Sequence, residues 1–100
     1  KMETGSGELF LCRVTGDSMR QARIFDGDYL VVDRKTSPES GSIAVVSIAG
    51  SILVKRLLVE EGRLYLVSEN DRYPPFEVHE YDDFTILGAV KMVLLDARSL

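Results

Sequence analysis

Two side chains in this sequence have the chemistry and the surroundings of a nucleophile and its base. Ser18 stands in Thr15-Gly16-Asp17-Ser18-Met19, where an apolar run meets a short stretch of helical character. Gly16 permits a sharp backbone turn there, so the serine hydroxyl is held on firm flanks and can point into a cleft. A serine after Gly-Asp is commonly a helix cap or a solvated loop residue, and taken alone it decides nothing. Lys55 stands in Ile52-Leu53-Val54-Lys55-Arg56-Leu57-Leu58-Val59. Strand alternation places Leu53, Lys55 and Leu57 on one face and Val54, Arg56 and Leu58 on the other. Each face then carries one cation among apolar side chains. On a half-solvated sheet the mild reading is that one cation points to water and the other snorkels.

A lysine can replace histidine as the base for a serine nucleophile, provided it is uncharged. An ordinary lysine titrates near about 10.4, so a lysine base working near neutrality needs its charged form disfavoured by about 4.6 kcal/mol. Burial among aliphatic side chains supplies shifts of that size, and the neighbours of Lys55 are of that kind. There is no competing triad. The single histidine, His79, lies in Glu77-Val78-His79-Glu80 and reads as a surface residue. The single cysteine, Cys12, follows Leu9-Phe10-Leu11 and reads as a small buried hydrophobe. One cysteine allows no internal disulfide, which fits a reducing cytosol. No metal-ligand cluster and no phosphate-cradling glycine loop stands out, and no cofactor is implied.

The elements that must hold these residues are short and β-like. Strands are predicted over Leu9 to Val14, Tyr29 to Val32, Ile43 to Ile48, Ile52 to Val59, Arg63 to Val67, Phe76 to Val78 and Phe84 to Leu95. Ala49-Gly50-Ser51 and Glu60-Glu61-Gly62 read as tight hairpin connections. Gly88 marks a bulge or bend in the last strand. Only Asp17 to Ala22 has helical character, with Asp17 as its N-cap. Strands of this number and spacing predict an all-β barrel or sandwich. Ile86 to Leu95 is assigned mainly to the core, with a dimer interface as the alternative. The aromatics Tyr65, Tyr73 and Phe76 read as packing groups rather than a base-stacking platform.

One hundred residues with 45% apolar content make one domain with one modest core. Residues 1–8 are small, polar and glycine-containing, and read as a tether or cut end. The net charge is −4, with twelve basic residues scattered among sixteen acidic ones. A domain gripping nucleic acid by its phosphates carries a basic stripe, so direct nucleic-acid binding is not expected. No run approaches the roughly 18 apolar residues of a membrane span, and no signal peptide is recognisable.

Three stretches together, Gly16-Asp17-Ser18-Met19, Ile24 to Asp33 and Val54-Lys55-Arg56-Leu57, resemble the LexA/UmuD family of self-cleaving proteins. Ser18 and Lys55 lie 37 residues apart, which suits that family. Gly62 to Asn70, Tyr73-Pro74-Pro75 and Phe84 to Val90 also fit, so the resemblance covers Leu9 to about Leu94. It implies a compact, strongly twisted β fold and a Ser-Lys peptidase domain over residues 9–100. Ser18 would be the nucleophile and Lys55 the general base and acid. Backbone N–H groups near Ser18 would stabilise the oxyanion, with the flanking Asp17 and Met19 as candidates for that or for positioning.

The resemblance also implies a substrate, the protein's own N-terminal segment, usually cut at Ala-Gly or Cys-Gly. Neither dipeptide precedes Ser18 here, and Thr4-Gly5 and Ser6-Gly7 are poor replacements. The chain is therefore expected to be a cleaved product or a trimmed piece that keeps its dyad. Implied partners are a second copy in a homodimer and the RecA filament on single-stranded DNA as stimulator of cleavage, in the bacterial cytoplasm. The wording around Ser18 and over Arg63 to Asn70 and Tyr73-Pro74-Pro75 looks nearer to UmuD-like subunits of error-prone translesion polymerases. The alternative is the C-terminal domain of a LexA-like or phage-type repressor, whose own DNA-binding domain is the partner. A third reading keeps the fold as a docking module with an idle dyad. Membrane-bound signal peptidases, which share the dyad chemistry, are a more distant resemblance.

Overall fold

The computed structural model describes residues 8–96. Seven strands form one antiparallel sheet: β1 (Leu9–Arg13), β2 (Tyr29–Asp33), β3 (Ile43–Ile48), β4 (Ser51–Glu60), β5 (Arg63–Val67), β6 (Phe76–Val78) and β7 (Phe84–Leu94). Their order is β1-β2-β7-β3-β4-β5-β6. The all-β expectation is met, and β3, β5 and β6 end where the turn residues predicted. The proposed tether over residues 1–8 lies, apart from Glu8, outside the described residues.

Two-residue loops set the register of the central hairpins. Ala49 and Gly50 have φ of 50° and 82°, and Glu61 and Gly62 have 52° and 76°. Two successive left-handed residues match the twist of antiparallel strands, which is why glycine recurs at the second position. Ala49-Gly50, the one Ala-Gly pair in the sequence, is thus folded into a turn and is not an extended segment. The loops fix the pairings Val45↔Val54 and Leu58↔Tyr65, and with them which side chains share a face.

One sheet buries two cores because both faces of β3 are apolar. Val45 packs with Val14, Met19, Ile24, Leu30 and Val32, while Ala44, Val46 and Ile48 pack with Leu57 and Leu66. A flat sheet could not cover both faces. β7 breaks register twice, between the partners of Val31 and Val32 and between those of Val45 and Val46. Such bulges bend a strand and raise its twist, so the sheet folds over itself. Gly88 sits at the second break, as its sequence suggested. A Cβ there would lie 2.5 Å from Asp33 O and 2.7 Å from Val32 Cγ1. Gly88→Ala should therefore cost about 1–3 kcal/mol through overpacking against backbone. A denaturation midpoint unchanged from the parent chain would refute that.

Two expectations need correction and a third holds in part. Residues Asp17 to Ala22 form only a 3₁₀ turn, Arg20–Ala22, whose N-cap position is Met19 and carries no side-chain cap bond. Asp17 is not a cap, because its carboxylate is engaged by Tyr73 instead. Tyr73 and Phe76 are not core packing groups, being 43% and 50% exposed at the β6 edge of the sheet. In the C-terminal run, Leu87, Val90 and Val93 join the first core, but Ile86, Met92 and Leu95 point outward.

Candidate functional site

Ser18 follows β1 in a loop that the sequence anchors at both ends. Val14 N donates to Asp28 O at 2.8 Å, and Gly16 N donates to Asp26 Oδ1 at 2.9 Å. Beyond Ser18, Met19 is buried in the first core. The half-buried serine between them lines a groove of about 300 Å³ with Cys12, Arg13, Val14, Thr15, Met19 and the β4 residues Ile52, Leu53 and Val54.

Lys55 continues β4 directly from that wall. Its side chain lies on the face of Leu53 and Leu57, as alternation predicted, and lines an adjoining apolar groove of about 240 Å³ with Ile48, Ala49, Leu53, Leu66 and Phe76. Leu53 belongs to both grooves. The two cations of β4 have separate fates. Arg56 turns to Glu69, at 3.0 Å, and to Gly41 O, at 2.6 Å. Lys55 is half-buried and, among the described residues, has no carboxylate partner. Desolvation by burial pushes its amine below the ordinary lysine value. Its hydrogen bond goes to a neutral group, Ser68 Oγ, at 2.6 Å. Among the described residues no hydrogen bond joins Ser18 Oγ to Lys55 Nζ.

The segment that follows β5 straps the serine loop to the lysine. Gln21 N donates to Glu69 O at 2.8 Å, and Glu69 N donates to Met19 Sδ at 3.4 Å. Asn70, nearly fully buried, donates from Nδ2 to Asp17 O at 2.9 Å. Tyr73 OH donates to Asp17 Oδ1 at 2.7 Å, and the Lys55 amine lies 5.9 Å from the centre of the same ring. One tyrosine thus reaches both the residue before Ser18 and the amine. The hydroxyl of Tyr73 holds the Asp17 carboxyl below its usual range, and Asp17 in turn raises the tyrosine. Asp17 and Met19 are accordingly anchors of the loop.

Sequence reasoning assigned no role to Ser68, Asn70 or the Tyr73 hydroxyl. Ser68 was legible in principle: the Glu61-Gly62 turn pairs Arg56 with Val67, so the next position sets Lys55 opposite Ser68. The bonds of Asn70 and Tyr73 to Asp17 cross more than fifty residues and leave no local signal. Cys12 behaves as a partly buried hydrophobe whose thiol is raised by burial. His79 stacks on Tyr81, with centroids 5.1 Å apart, beside Glu77 and away from both grooves.

Strand β4 has one further property. Residues Arg56 to Glu60 pair with β5, but Ser51 to Lys55 pair with β3 alone among the described residues. The unpaired edge runs along the wall that the Ser18 groove shares.

Ser18 thus lines one groove and Lys55 the next, with Leu53 in the wall of both. The chain belongs to the S24-like peptidases, whose family profile matches residues 1–91. It is 43% identical over 90 residues to the LexA repressor of Streptomyces coelicolor, a match covering 90% of this chain and 37% of that protein. The LexA repressors of Streptomyces avermitilis and Magnetococcus marinus are each 42% identical over 90 residues, covering 90% of this chain and 37% and 39% of theirs. The chain thus spans little more than a third of the length of these relatives. They bear out the LexA/UmuD resemblance and favour its repressor branch over the polymerase-subunit branch. No helix among the described residues is long and apolar enough to cross a membrane.

Proposed function

We propose that this chain is the self-cleaving domain of a LexA-like transcriptional repressor, with Ser18 as nucleophile and Lys55 as general base. Ser18 Oγ adds to the carbonyl carbon of the scissile peptide while its proton passes to the neutral Lys55 amine. The C–N bond then breaks as Lys55 returns that proton to the leaving nitrogen. Water, deprotonated by the same amine, hydrolyses the resulting ester and frees Ser18. The observation that carries the reading is a half-buried lysine with no acid partner among the described residues, adjoining the groove of Ser18. The open edge of Ser51 to Lys55 supports docking of the scissile segment as an added strand.

On this reading the full protein carries a DNA-binding domain upstream, dimerises, and is cut when a RecA filament on single-stranded DNA favours the docked segment. The physical logic is a population shift: a partner that prefers the docked state raises its fraction. Residues 9–100 are the peptidase unit. The catalytically idle docking module is the competing reading, and one experiment separates the two. An N-terminally extended copy carrying Ser18→Ala, which cannot cut itself, is mixed with the intact chain. The expected result is a cut in the extension that disappears when the intact chain also carries Ser18→Ala. No cut in trans at any pH between about 7 and about 10 contradicts the enzyme reading, since burial lowers the amine below the ordinary lysine value and its uncharged fraction grows across that range.

A further inference from the structure

Among the described residues, the hydrogen bond of the Lys55 amine is not to the residue with which it is expected to react. It joins Lys55 Nζ to Ser68 Oγ, at 2.6 Å. Ser68 is the cross-strand neighbour of Lys55, one step past the last β4–β5 pair, Arg56↔Val67. From there the chain runs into the strap whose bonds from Glu69, Asn70 and Tyr73 hold the serine loop. Ser68 therefore occupies the point where the lysine strand and the Ser18 loop are referred to one another.

The chemistry of the partner matters as much as its place. A carboxylate opposite Lys55 would hold the amine charged, and a hydrocarbon would leave it without a partner in an apolar groove. A hydroxyl satisfies the amine without adding charge. An uncharged amine has two N–H donors and one lone pair. When one N–H is committed to Ser68 Oγ, the lone pair loses most of its rotational freedom. A base is effective only when its lone pair is aimed at the proton it takes.

We infer that Ser68 is a positioning residue: its hydroxyl anchors one N–H of Lys55 and so directs the amine lone pair toward the Ser18 hydroxyl. The inference rests on the Ser18–Lys55 reading above and adds a third residue to it. Ser68 does not touch substrate; it acts through Lys55.

The test uses the trans-cleavage assay, with the pH–rate profile recorded for each variant, and the amine of isotopically labelled Lys55 titrated by NMR as a readout independent of cutting. Ser68→Ala should slow cleavage about 10–100-fold, as loss of an orienting partner does elsewhere. The loss should persist on the alkaline plateau, where every amine is neutral, because orientation and not charge is missing. Ser68→Thr, which keeps the hydroxyl, should recover most of the lost rate. If Ser68→Ala does not fold, Ser68→Cys carries the same comparison against Ser68→Thr. A Ser68→Ala rate within twofold of the parent on the plateau, or above it, overturns the inference; a rate above it would mean that Ser68 parks the amine away from Ser18. Threonine performing no better than alanine overturns it too. Lys55→Ala runs alongside. Unimpaired cutting by that variant sinks the dyad itself, whereas abolished cutting with Ser68→Ala unaffected sinks only the role of Ser68.

Discussion

Lys55→Arg should abolish self-cleavage while leaving the domain folded. Arginine keeps the positive charge, much of the aliphatic stem and the ability to donate to Ser68, but its guanidinium does not deprotonate in a protein. If Lys55 served only as a structural cation, arginine would be a mild replacement. If it takes the serine proton, the loss should reach the 10²–10⁴-fold that a positioned base contributes, or more. The parent chain should show the matching pH dependence. Below the folded value of the Lys55 amine, each pH unit increases the neutral fraction tenfold, so the rate climbs and then levels off. Burial lowers that value, so the plateau should begin short of the ordinary lysine range. The groups near the amine do not mask it: Arg56 is paired with Glu69, and the Tyr73 hydroxyl is engaged by Asp17. A cleavage rate that stays flat from about pH 7 to about pH 10 would count against an amine titrating within that range as the base.

The same amine leaves a mark on stability, and its sign is fixed. With the folded value lowered, the unfolded chain binds more protons over the window between the folded and the unfolded values. Stability therefore rises with pH through that window and is lowest on its acid side. Lys55→Met removes this dependence, so the denaturation midpoints of the two chains should converge as the pH approaches the ordinary lysine range.

Asp28→Ala should damage the fold severely. Asp28 is 2% exposed, and its two carboxylate oxygens accept from Phe25 N at 2.9 Å and Asp96 N at 3.1 Å. It thereby closes the turn before β2 and ties it to the chain after β7. Alanine leaves two backbone donors without their acceptor, at a cost of about 1–3 kcal/mol each. For a domain of this length that corresponds to a fall in Tm of roughly 10–30 °C. Asp28→Asn keeps one acceptor oxygen and should lose about half as much. A fall of less than about 4 °C for the alanine variant would show that those donors find other partners. Because Asp28 O also accepts from Val14 N, just before the serine loop, cleavage should fail in the alanine variant at temperatures where the parent still cuts.

Much of the fold is legible in the chain because its strands are punctuated. Ser40-Gly41, Ala49-Gly50, Glu61-Gly62 and Pro74-Pro75 supply the stops, and alternation between them is clean enough to place Lys55 on the Leu53 face. The position of Gly88 is legible for the same reason, since a glycine inside an apolar strand has few other uses. The doubling of the core is not legible. Alternation assigns Val45 and Val46 to opposite faces but cannot say that both faces are covered, which depends on two register breaks in β7. The capping role given to Asp17 fails for a related reason. A local rule assigns its side chain to the next turn, but a tyrosine 56 residues away takes it. Ser18 and Lys55 are individually unremarkable residues, and only their order and spacing against a family pattern single them out.

Sheets usually defend an open rim. A stretch of apolar strand with vacant rungs invites any extended chain to join it, and folded proteins blunt such rims with charge, proline or a covering loop. From Ser51 to Val54 no such protection is written into β4, and Ile52 stands 64% exposed beside the rim. Stickiness of this kind is a hazard at high concentration, since copies of the domain can stack edge to edge. The rim runs along the wall of the Ser18 groove, where the proposed docking of the scissile segment would use it. On that proposal a docked segment would be held by its main chain, so conformation should matter more than side-chain identity in deciding which strands the edge accepts.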